Sequence, residues 1–148
     1  MFSKYKQYSP IILRIALSMV FLWFGISQLV NPESFMGYMP QWIFPHEPAM
    51  QHSHSMQFMH NIPHPGAHFT IMANGVFETL FGLLLLLGLF TRLSALLLSL
   101  HLFGIMLSLG YNDIAVRDFG LALAALSVAL NGKDKYCMDN KFNLMFNN

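Results

Sequence analysis

Four long apolar runs restrict what this chain can fold into more than any other feature of its sequence. The runs cover residues 11–30, 69–90, 93–109 and 113–130, and each has about the 17–25 residues that a helix needs to cross roughly 30 Å of hydrocarbon. Charged residues make up 10% of the chain, against about 25% in an ordinary globular protein. The sequence therefore predicts an all-α integral membrane protein, a four-helix bundle that forms a single domain over residues 1–148.

Local signals indicate where the first helix begins and ends. Pro10 suits a first helical turn because its missing N–H would find no partner there, and Asn31-Pro32 ends the run. A cleaved signal peptide is the competing interpretation, because Lys4 and Lys6 precede the apolar residues. The run is long, however, and Asn31-Pro32 is no small-residue cleavage site, so we favour a helix that is retained.

The positive charges divide unevenly between the two ends of this arrangement, because only Arg117 lies at the end opposite to the others. The seven at the first end are Lys4, Lys6, Arg14, Arg92, Lys133, Lys135 and Lys141. Cytoplasmic segments of membrane proteins are enriched in Lys and Arg. We therefore predict cytoplasmic termini, an extracytoplasmic loop over residues 31–68, and a multi-pass protein of the cell membrane, of the prokaryotic cytoplasmic type.

Small residues suggest where the helices meet. Gly104 and Ser108, and Ala125 and Ala129, are pairs spaced by four residues that would allow two helix backbones to approach closely. The alternative is that Gly and Ala are simply common in membrane helices.

Several function classes find no support in the sequence. The net charge is +1, so there is no electrostatic argument for binding nucleic acid. Cys137 is the single cysteine, which excludes a disulfide within one copy. No nucleophile triad, phosphate loop or dinucleotide fingerprint is present, and no histidine pair is placed to hold a transmembrane haem. The sequence therefore assigns no catalytic residue.

A few ionisable residues lie within the apolar runs, where they must face protein or a water-filled cavity. Asn74 and Glu78 are four residues apart and share one helix face. His101 lies at a similar depth in the neighbouring antiparallel helix, by the helical rise of about 1.5 Å per residue, and the long side chain of Arg117 reaches toward them. We predict a polar pocket of Asn74, Glu78, His101 and Arg117, with Gln28 and Asp118 near its outer rim. The alternative is a purely structural network, with Asp113 and Arg117 paired along one helix.

The pattern of these helices resembles the DoxX family. The matching residues are Arg14, Phe21, Phe24-Gly25, Leu29 and Asn31-Pro32 in the first helix, Asn74-Gly75, Glu78, Gly82, Gly88-Leu89 and Thr91-Arg92 around the second, and Arg117-Asp118 with Gly120-Leu121 in the last. The resemblance implies a small four-helix membrane protein. It also implies a shared polar site at Glu78, Arg117 and Asp118, and a link to redox or oxidative-stress systems, since the DoxD relatives are associated with thiosulfate:quinone oxidoreductase. Gln28 stands where we expect a basic residue in many members.

The predicted outer loop is dense in side chains that bind metals. It holds six of the seven histidines and no Lys or Arg. The candidate ligands are His52, His54, Met56, Met59, His60, His64 and His68. Imidazole binds several transition metals, whereas thioether favours cuprous ion, so the mixture indicates copper before zinc. A disordered polar loop, a methionine-lined lipid contact and a histidine pH sensor are the alternatives.

Three functions follow as hypotheses. The leading one is a DoxX-like component of a membrane redox system, whose outer polar pocket meets a quinone head group or a partner subunit. In this role the chain is either catalytic or an accessory subunit of a quinone-linked oxidoreductase. The second hypothesis is a metal-handling protein that collects copper on its outer loop. The third is an assembly subunit that binds no ligand.

Overall fold

The computed structural model describes residues 3–39, 65–110 and 112–139, and within these residues it contains helices and no strand. The four long helices are α1 (Ser9–Val30), α2 (Pro65–Leu87), α3 (Thr91–Leu109) and α4 (Asp113–Asn131). Two short 3₁₀ helices, Ser3–Tyr8 and Pro32–Tyr38, stand before and after α1. The prediction of an all-α fold with four long helices is confirmed.

The bounds of α2 differ most from the predicted ones, which were 69 and 90. The helix begins at Pro65, which suits this position because proline lacks an N–H and the N–H groups of a first helical turn have no partner within the helix. It ends at Leu87 because Gly88 takes a φ of 69° and Phe90 a φ of 49°, both in the left-handed region that stops a helix. The turn into α3 is therefore residues 88–90, and α3 begins at Thr91 rather than at residue 93.

Helices α1 and α2 are antiparallel and touch backbone to backbone. A Cβ added to Gly25 would lie 2.5 Å from Thr79 Oγ1 and 2.9 Å from the carbonyl oxygen of Gly75. Farther along the pair, a Cβ on Gly82 would lie 3.1 Å from the Cβ of Phe21. Glycines on both helices thus permit a closer approach than any other residue would.

Helices α3 and α4 form the second antiparallel pair. The Ser99 hydroxyl donates to the carbonyl oxygen of Ala122 at 2.8 Å, and the rings of Phe103 and Phe119 meet edge to face at 6.1 Å between centroids. The shared core contains Leu17, Phe21, Leu85, Ala95, Leu98, Leu102, Ala122, Ala125 and Val128. All four helices therefore contribute to one core.

The two pairs of small residues singled out in the sequence have different positions. Ala125 is fully buried in the core and Ala129 packs against it. Gly104 and Ser108 are exposed, and no described atom lies within 4 Å of a Cβ added to Gly104. The expectation that Gly104 and Ser108 mark a close helix contact is therefore wrong among the described residues, because Gly104 packs against no other helix and Ser108 lines the cavity.

The outer surface of the bundle is apolar, as a bilayer requires. Trp23 and Leu107, for example, are 72% and 77% exposed. Helices α1, α2 and α3 are each long and apolar enough to cross a membrane. Helix α4 has 19 residues and packs along α3, but Asp113, Arg117 and Asp118 lie in its first two turns. Its crossing of the membrane, and the cytoplasmic position of the termini, remain predictions.

The two ends of the bundle differ in what they contain. The tail end holds the start of α1, the 88–90 turn and residues 132–139, which we call the tail segment. The cavity end holds the end of α1, the start of α2 and the turn between α3 and α4.

At the tail end, the tail segment folds back onto the helices. Arg14 Nε donates to Asp134 Oδ2 at 2.6 Å, and Arg14 Nη1 donates to the carbonyl oxygens of Leu85 and Leu86. Asp139 accepts from the backbone N–H groups of Phe90 and Thr91 at 2.8 and 3.1 Å, which caps the start of α3 from a distant part of the chain.

Candidate functional site

A cavity of about 610 Å³ opens at the cavity end, between the four helices and the 3₁₀ helix Pro32–Tyr38. Most of its surface is apolar. The side chains that form these walls include Val20, Phe21, Phe24, Phe35, Tyr38, Met39, Ile71, Leu102, Ile105, Leu109, Ile114 and Leu121. The cavity surface is thus largely hydrophobic, and nine further lining residues have polar side chains: Ser27, Gln28, Ser34, Thr70, Asn74, Glu78, Ser108, Arg117 and Asp118.

Three polar side chains form a hydrogen-bonded chain on one side of the cavity, which we call the polar floor. Asn74 Nδ2 donates to Gln28 Oε1 at 2.7 Å and to Glu78 Oε1 at 3.2 Å. Gln28 Nε2 donates to the other carboxylate oxygen of Glu78, Oε2, at 3.2 Å. Only 4% of Glu78 is exposed. Two neutral amides, one from each of α1 and α2, therefore hold a buried acid against the cavity.

His101 lies on α3 beside Glu78 and does not line the cavity. Its Nε2 is 3.8 Å from Glu78 Oε1, which is too long for a hydrogen bond but within the range of an ion pair. This nitrogen is buried and has no hydrogen-bond partner among the described residues. The imidazole ring packs on Phe77, with 4.5 Å between ring centroids.

Arg117 and Asp118 form a second polar group on the cavity wall. Arg117 donates from both Nε and Nη2 to Asp118 Oδ1, at 3.0 and 2.9 Å. The guanidinium also stands over the ring of Phe24, 4.9 Å from its centroid, an arrangement that favours a cation. The partner of Arg117 is therefore its chain neighbour Asp118, and not the alternative Asp113.

The six residues of the predicted pocket lie at the same end of the bundle. Five of them line the cavity, and His101 lies beside Glu78. Gln28 and Asp118 are buried, whereas we expected them near the rim.

Several cavity residues were not foreseen from the sequence. They are aromatic or hydroxyl side chains such as Phe24, Ser27, Phe35 and Tyr38. Phe35 and Tyr38 belong to the 3₁₀ helix after α1, which the prolines of this region concealed. The signal that could have found Phe24 is its spacing of four residues before Gln28, which puts both on one face of α1.

The predicted metal ligands fall mostly on residues outside the described part of the chain. These are His52, His54, Met56, Met59, His60 and His64. His68 lies in the first turns of α2 and is half-buried. In residues 3–39, 65–110 and 112–139, no group of three or more His, Cys, Asp or Glu side chains is arranged to hold a metal ion. Metal binding by the loop therefore remains a prediction.

Comparison with known proteins adds one finding. Residues 9–111 match the family model of DoxX, which spans the chain from the first residue of α1 to just beyond α3. Arg117 and Asp118, whose pattern also resembles the family, lie beyond the matched residues. No curated protein and no solved structure gives a significant match. Because the family match covers well over half of the sequence, the chain belongs to the DoxX family.

Proposed function

We propose that this DoxX-family protein is a component of a membrane redox system and that its cavity binds the head group of a quinone. The observation that carries the proposal is the cavity itself, a space of about 610 Å³ with apolar walls and a buried polar floor of Gln28, Asn74 and Glu78. A quinone has the same division, with an apolar tail and a ring that carries two polar oxygens.

The size and lining of the cavity support this choice. Pockets for small molecules are commonly about 300–1,000 Å³, mostly apolar, with a few converging polar groups that orient the ligand. The polar groups here come from α1, α2 and α4, so they surround a ring from more than one side. The Phe24 ring and the Arg117 guanidinium provide flat surfaces on which an aromatic head group can stack.

The position of the cavity also suits a lipid-soluble ligand. It lies at one end of three helices that are apolar enough to span a bilayer. In this proposal the chain acts as the quinone-binding subunit, and electrons are exchanged with a partner subunit of the redox system.

The test is quinone binding by the purified full-length chain in detergent, with decylubiquinone as the probe in calorimetric titrations. Thr70 lines the cavity and is exposed to it, so Thr70→Trp fills part of the space. Val76 lies on the same helix, is 55% exposed and does not line the cavity, so Val76→Trp is the matched control. We expect Thr70→Trp to weaken binding by about tenfold or more, which is roughly 1.4 kcal/mol, and Val76→Trp to leave it unchanged.

The result that would overturn the proposal is equally direct. If decylubiquinone does not bind the unmodified chain, or binds Thr70→Trp and Val76→Trp equally, then the cavity is not a quinone site. The assembly-subunit hypothesis would then gain support if Glu78→Gln impairs co-purification of a partner protein, because that role requires the polar floor without any small ligand.

The metal-handling hypothesis rests on the density of ligands in residues 50–68 and is tested separately. Imidazole and thioether together favour cuprous ion. We expect the intact chain, purified without chelator, to carry copper, and a variant with His52, His54 and His60 all replaced by Ala to lose most of it. Equal metal content in the two proteins would exclude the loop as a copper site.

A further inference from the structure

Glu78 poses a charge problem that the polar floor does not solve. A carboxylate buried in the membrane is costly unless a cation or several hydrogen bonds compensate its charge. The two side chains that donate to Glu78, those of Gln28 and Asn74, are neutral amides. They satisfy hydrogen bonds without neutralising the charge.

The elements packed around Glu78 offer few groups that could neutralise it. On α4, the Arg117 guanidinium donates two hydrogen bonds to Asp118, so the pair has little net charge to offer. The 3₁₀ helix contributes Tyr38 to the cavity wall, and its acid, Glu33, does not line the cavity. The charged residue of α1, Arg14, lies at the tail end and donates to Asp134. The remaining ionisable neighbour is His101 on α3.

His101 has the geometry of a group that shares a proton with Glu78. Its buried Nε2 is directed at Glu78 Oε1 across 3.8 Å, and no other described group bonds to this nitrogen. Imidazole changes its charge at ordinary pH more readily than any other side chain. A small rotation of either side chain would shorten the distance to that of a charge-assisted hydrogen bond, about 2.8 Å.

We propose that Glu78 and His101 form a buried pair that shares one proton, and that His101 carries this proton when a ligand is bound. The cavity therefore prefers the quinol, whose aromatic head group bears hydroxyls, over the quinone. This inference rests on the proposed quinone-binding function and adds to it the redox state of the ligand. His101 acts here as a positioning residue for the charge of Glu78, since it does not line the cavity.

The preference for a hydroxyl follows from the hydrogen-bond donors and acceptors of the polar floor that are not used within the floor itself. Both N–H groups of Asn74 are used within the floor, whereas its carbonyl oxygen accepts no hydrogen bond from the described residues. Each oxygen of an ionised Glu78 accepts one amide bond and can accept another. The floor thus presents acceptors, with one N–H of Gln28 left as a donor. A quinol donates to such a surface, while the two carbonyl oxygens of a quinone can only accept.

The experiment compares the affinities of decylubiquinol and decylubiquinone for the full-length chain in detergent, under anaerobic conditions. For the unmodified chain near neutral pH we expect the quinol to bind about tenfold more tightly, in line with one hydrogen bond to a charged acceptor. Glu78→Gln keeps the shape of the floor but presents an amide, so this variant should bind the quinol and the quinone about equally at any pH. Glu33→Gln, an exposed acid that does not line the cavity, is the matched control.

His101→Gln gives the sharper result because His101 does not touch the ligand. Without a proton acceptor beside it, Glu78 cannot pass its proton to a neighbouring side chain, and the quinol preference should be lost. Raising the pH should ionise Glu78 without His101, and the preference should then return. A residue that served only packing would not produce a loss that pH reverses.

The outcomes separate this inference from the function on which it rests. If neither probe binds, the proposed function fails and the inference fails with it. If both probes bind the unmodified chain equally, or the quinone binds more tightly, the quinone site stands and the inference is overturned. If His101→Gln keeps the preference near neutral pH, His101 has no role in it. Thermal unfolding of each variant establishes that the bundle is intact, and His101→Asn repeats the test if His101→Gln does not fold.

Discussion

The two ends of the bundle contain similar buried polar groups but use them differently. At the tail end, Arg14 donates to Asp134 and to two backbone carbonyl oxygens, and Asp139 accepts from two backbone N–H groups. At the cavity end, Glu78 receives only neutral donors, and Nε2 of His101 has no hydrogen-bond partner among the described residues. One end is closed by its polar contacts, and the other keeps acceptors beside an open space.

This difference separates stability from function within one small protein. Buried ion pairs and caps with complete hydrogen bonds hold the chain in one arrangement, and breaking such a pair is strongly destabilising. Incompletely bonded polar groups beside a cavity contribute little to folding and are typical of sites that bind ligands. We therefore expect substitutions of polar residues at the tail end to affect unfolding and those of polar residues at the cavity end to affect binding. Arg14→Ala, Asp139→Ala and Glu78→Gln test this division, and Gly25→Ala tests the packing of α1 against α2 beside the cavity. The expected loss of stability falls from Arg14→Ala through Gly25→Ala and Asp139→Ala to Glu78→Gln.

Arg14→Ala should produce the largest loss of stability. The substitution removes the cation that faces the buried Asp134 carboxylate and both donors to Leu85 and Leu86. Breaking a buried pair by deleting one partner costs about 3–5 kcal/mol, and thermal unfolding in detergent should show a correspondingly lower midpoint. Lys135→Ala, an exposed cation in the same segment, is the control. Similar midpoints for the two variants would mean that the tail segment does not hold the bundle.

Gly25→Ala should have the next largest effect. The new methyl group would lie 2.7 Å from the backbone nitrogen of Thr79 and 2.9 Å from the carbonyl oxygen of Gly75, so α1 and α2 would have to separate. Overpacking of this kind costs about 1–3 kcal/mol. Gly104→Ala is the matched control, because its Cβ meets no described atom and Ala favours a helix by up to about 1 kcal/mol. The two variants should therefore shift the unfolding midpoint in opposite directions.

Asp139→Ala should have a smaller effect, about 1 kcal/mol, because it removes the cap of the first N–H groups of α3. Burial acts to raise the pKa of Asp139, but hydrogen bonds from the backbone of Thr91 and Phe90 and the charge of Lys133 outweigh it, and the net pKa is lowered from 3.8. A carboxylate of this kind stabilises the folded state above its unfolded pKa. This contribution is lost as the pH falls below 3.8 through the folded pKa.

Asp134 reinforces this acid dependence. Burial acts to raise its pKa as well, yet hydrogen bonds from Arg14 and the Tyr136 backbone, with the charge of Arg14, leave the net pKa below 3.8. Acid unfolding followed by circular dichroism should therefore show that Asp139→Ala loses less stability between neutral pH and about pH 3 than the unmodified chain does. An identical acid response of the two proteins would contradict the cap.

Glu78→Gln should change stability least, by less than about 1 kcal/mol. Glutamine keeps the shape of the side chain and relieves a buried charge, which offsets the loss of one of the two amide hydrogen bonds to Glu78. This variant should unfold almost like the unmodified chain while it loses the quinol preference, so it separates an effect on binding from an effect on stability. A destabilisation as large as that of Arg14→Ala would show instead that the polar floor is a structural element.

The helices themselves could be predicted from the sequence, because their apolar runs must be long enough for the bilayer and end at identifiable residues. The residues at which the helices begin and end could be predicted less well. Pro65 looked like part of the loop, although a proline is suited to a first helical turn. The end of α2 depends on the left-handed conformation at Gly88 and Phe90, and Phe90 is a residue that rarely adopts it.

The candidate site could be predicted in part. The spacing of Asn74 and Glu78 and the depth of His101 follow from helical geometry, and the structure brings these residues together. The direct bond from Gln28 to Glu78 depends on how closely α1 meets α2, which is set by Gly25 and Gly75. The contact of Arg14 with Asp134 joins residues 120 positions apart, and no local pattern indicates it.

The close contact at Gly25 also bears on which rings the proposed quinone site would accept. One wall of the cavity is formed by α1 and α2, whose backbones already touch. They cannot move closer together, and moving apart would break this contact. The opposite side is formed by the 3₁₀ helix and the first turns of α4, where Arg117 and Tyr38 are partly or largely exposed. We therefore expect ring substituents that face α1 and α2 to be tightly restricted in size, and those that face α4 to vary freely among the molecules that bind.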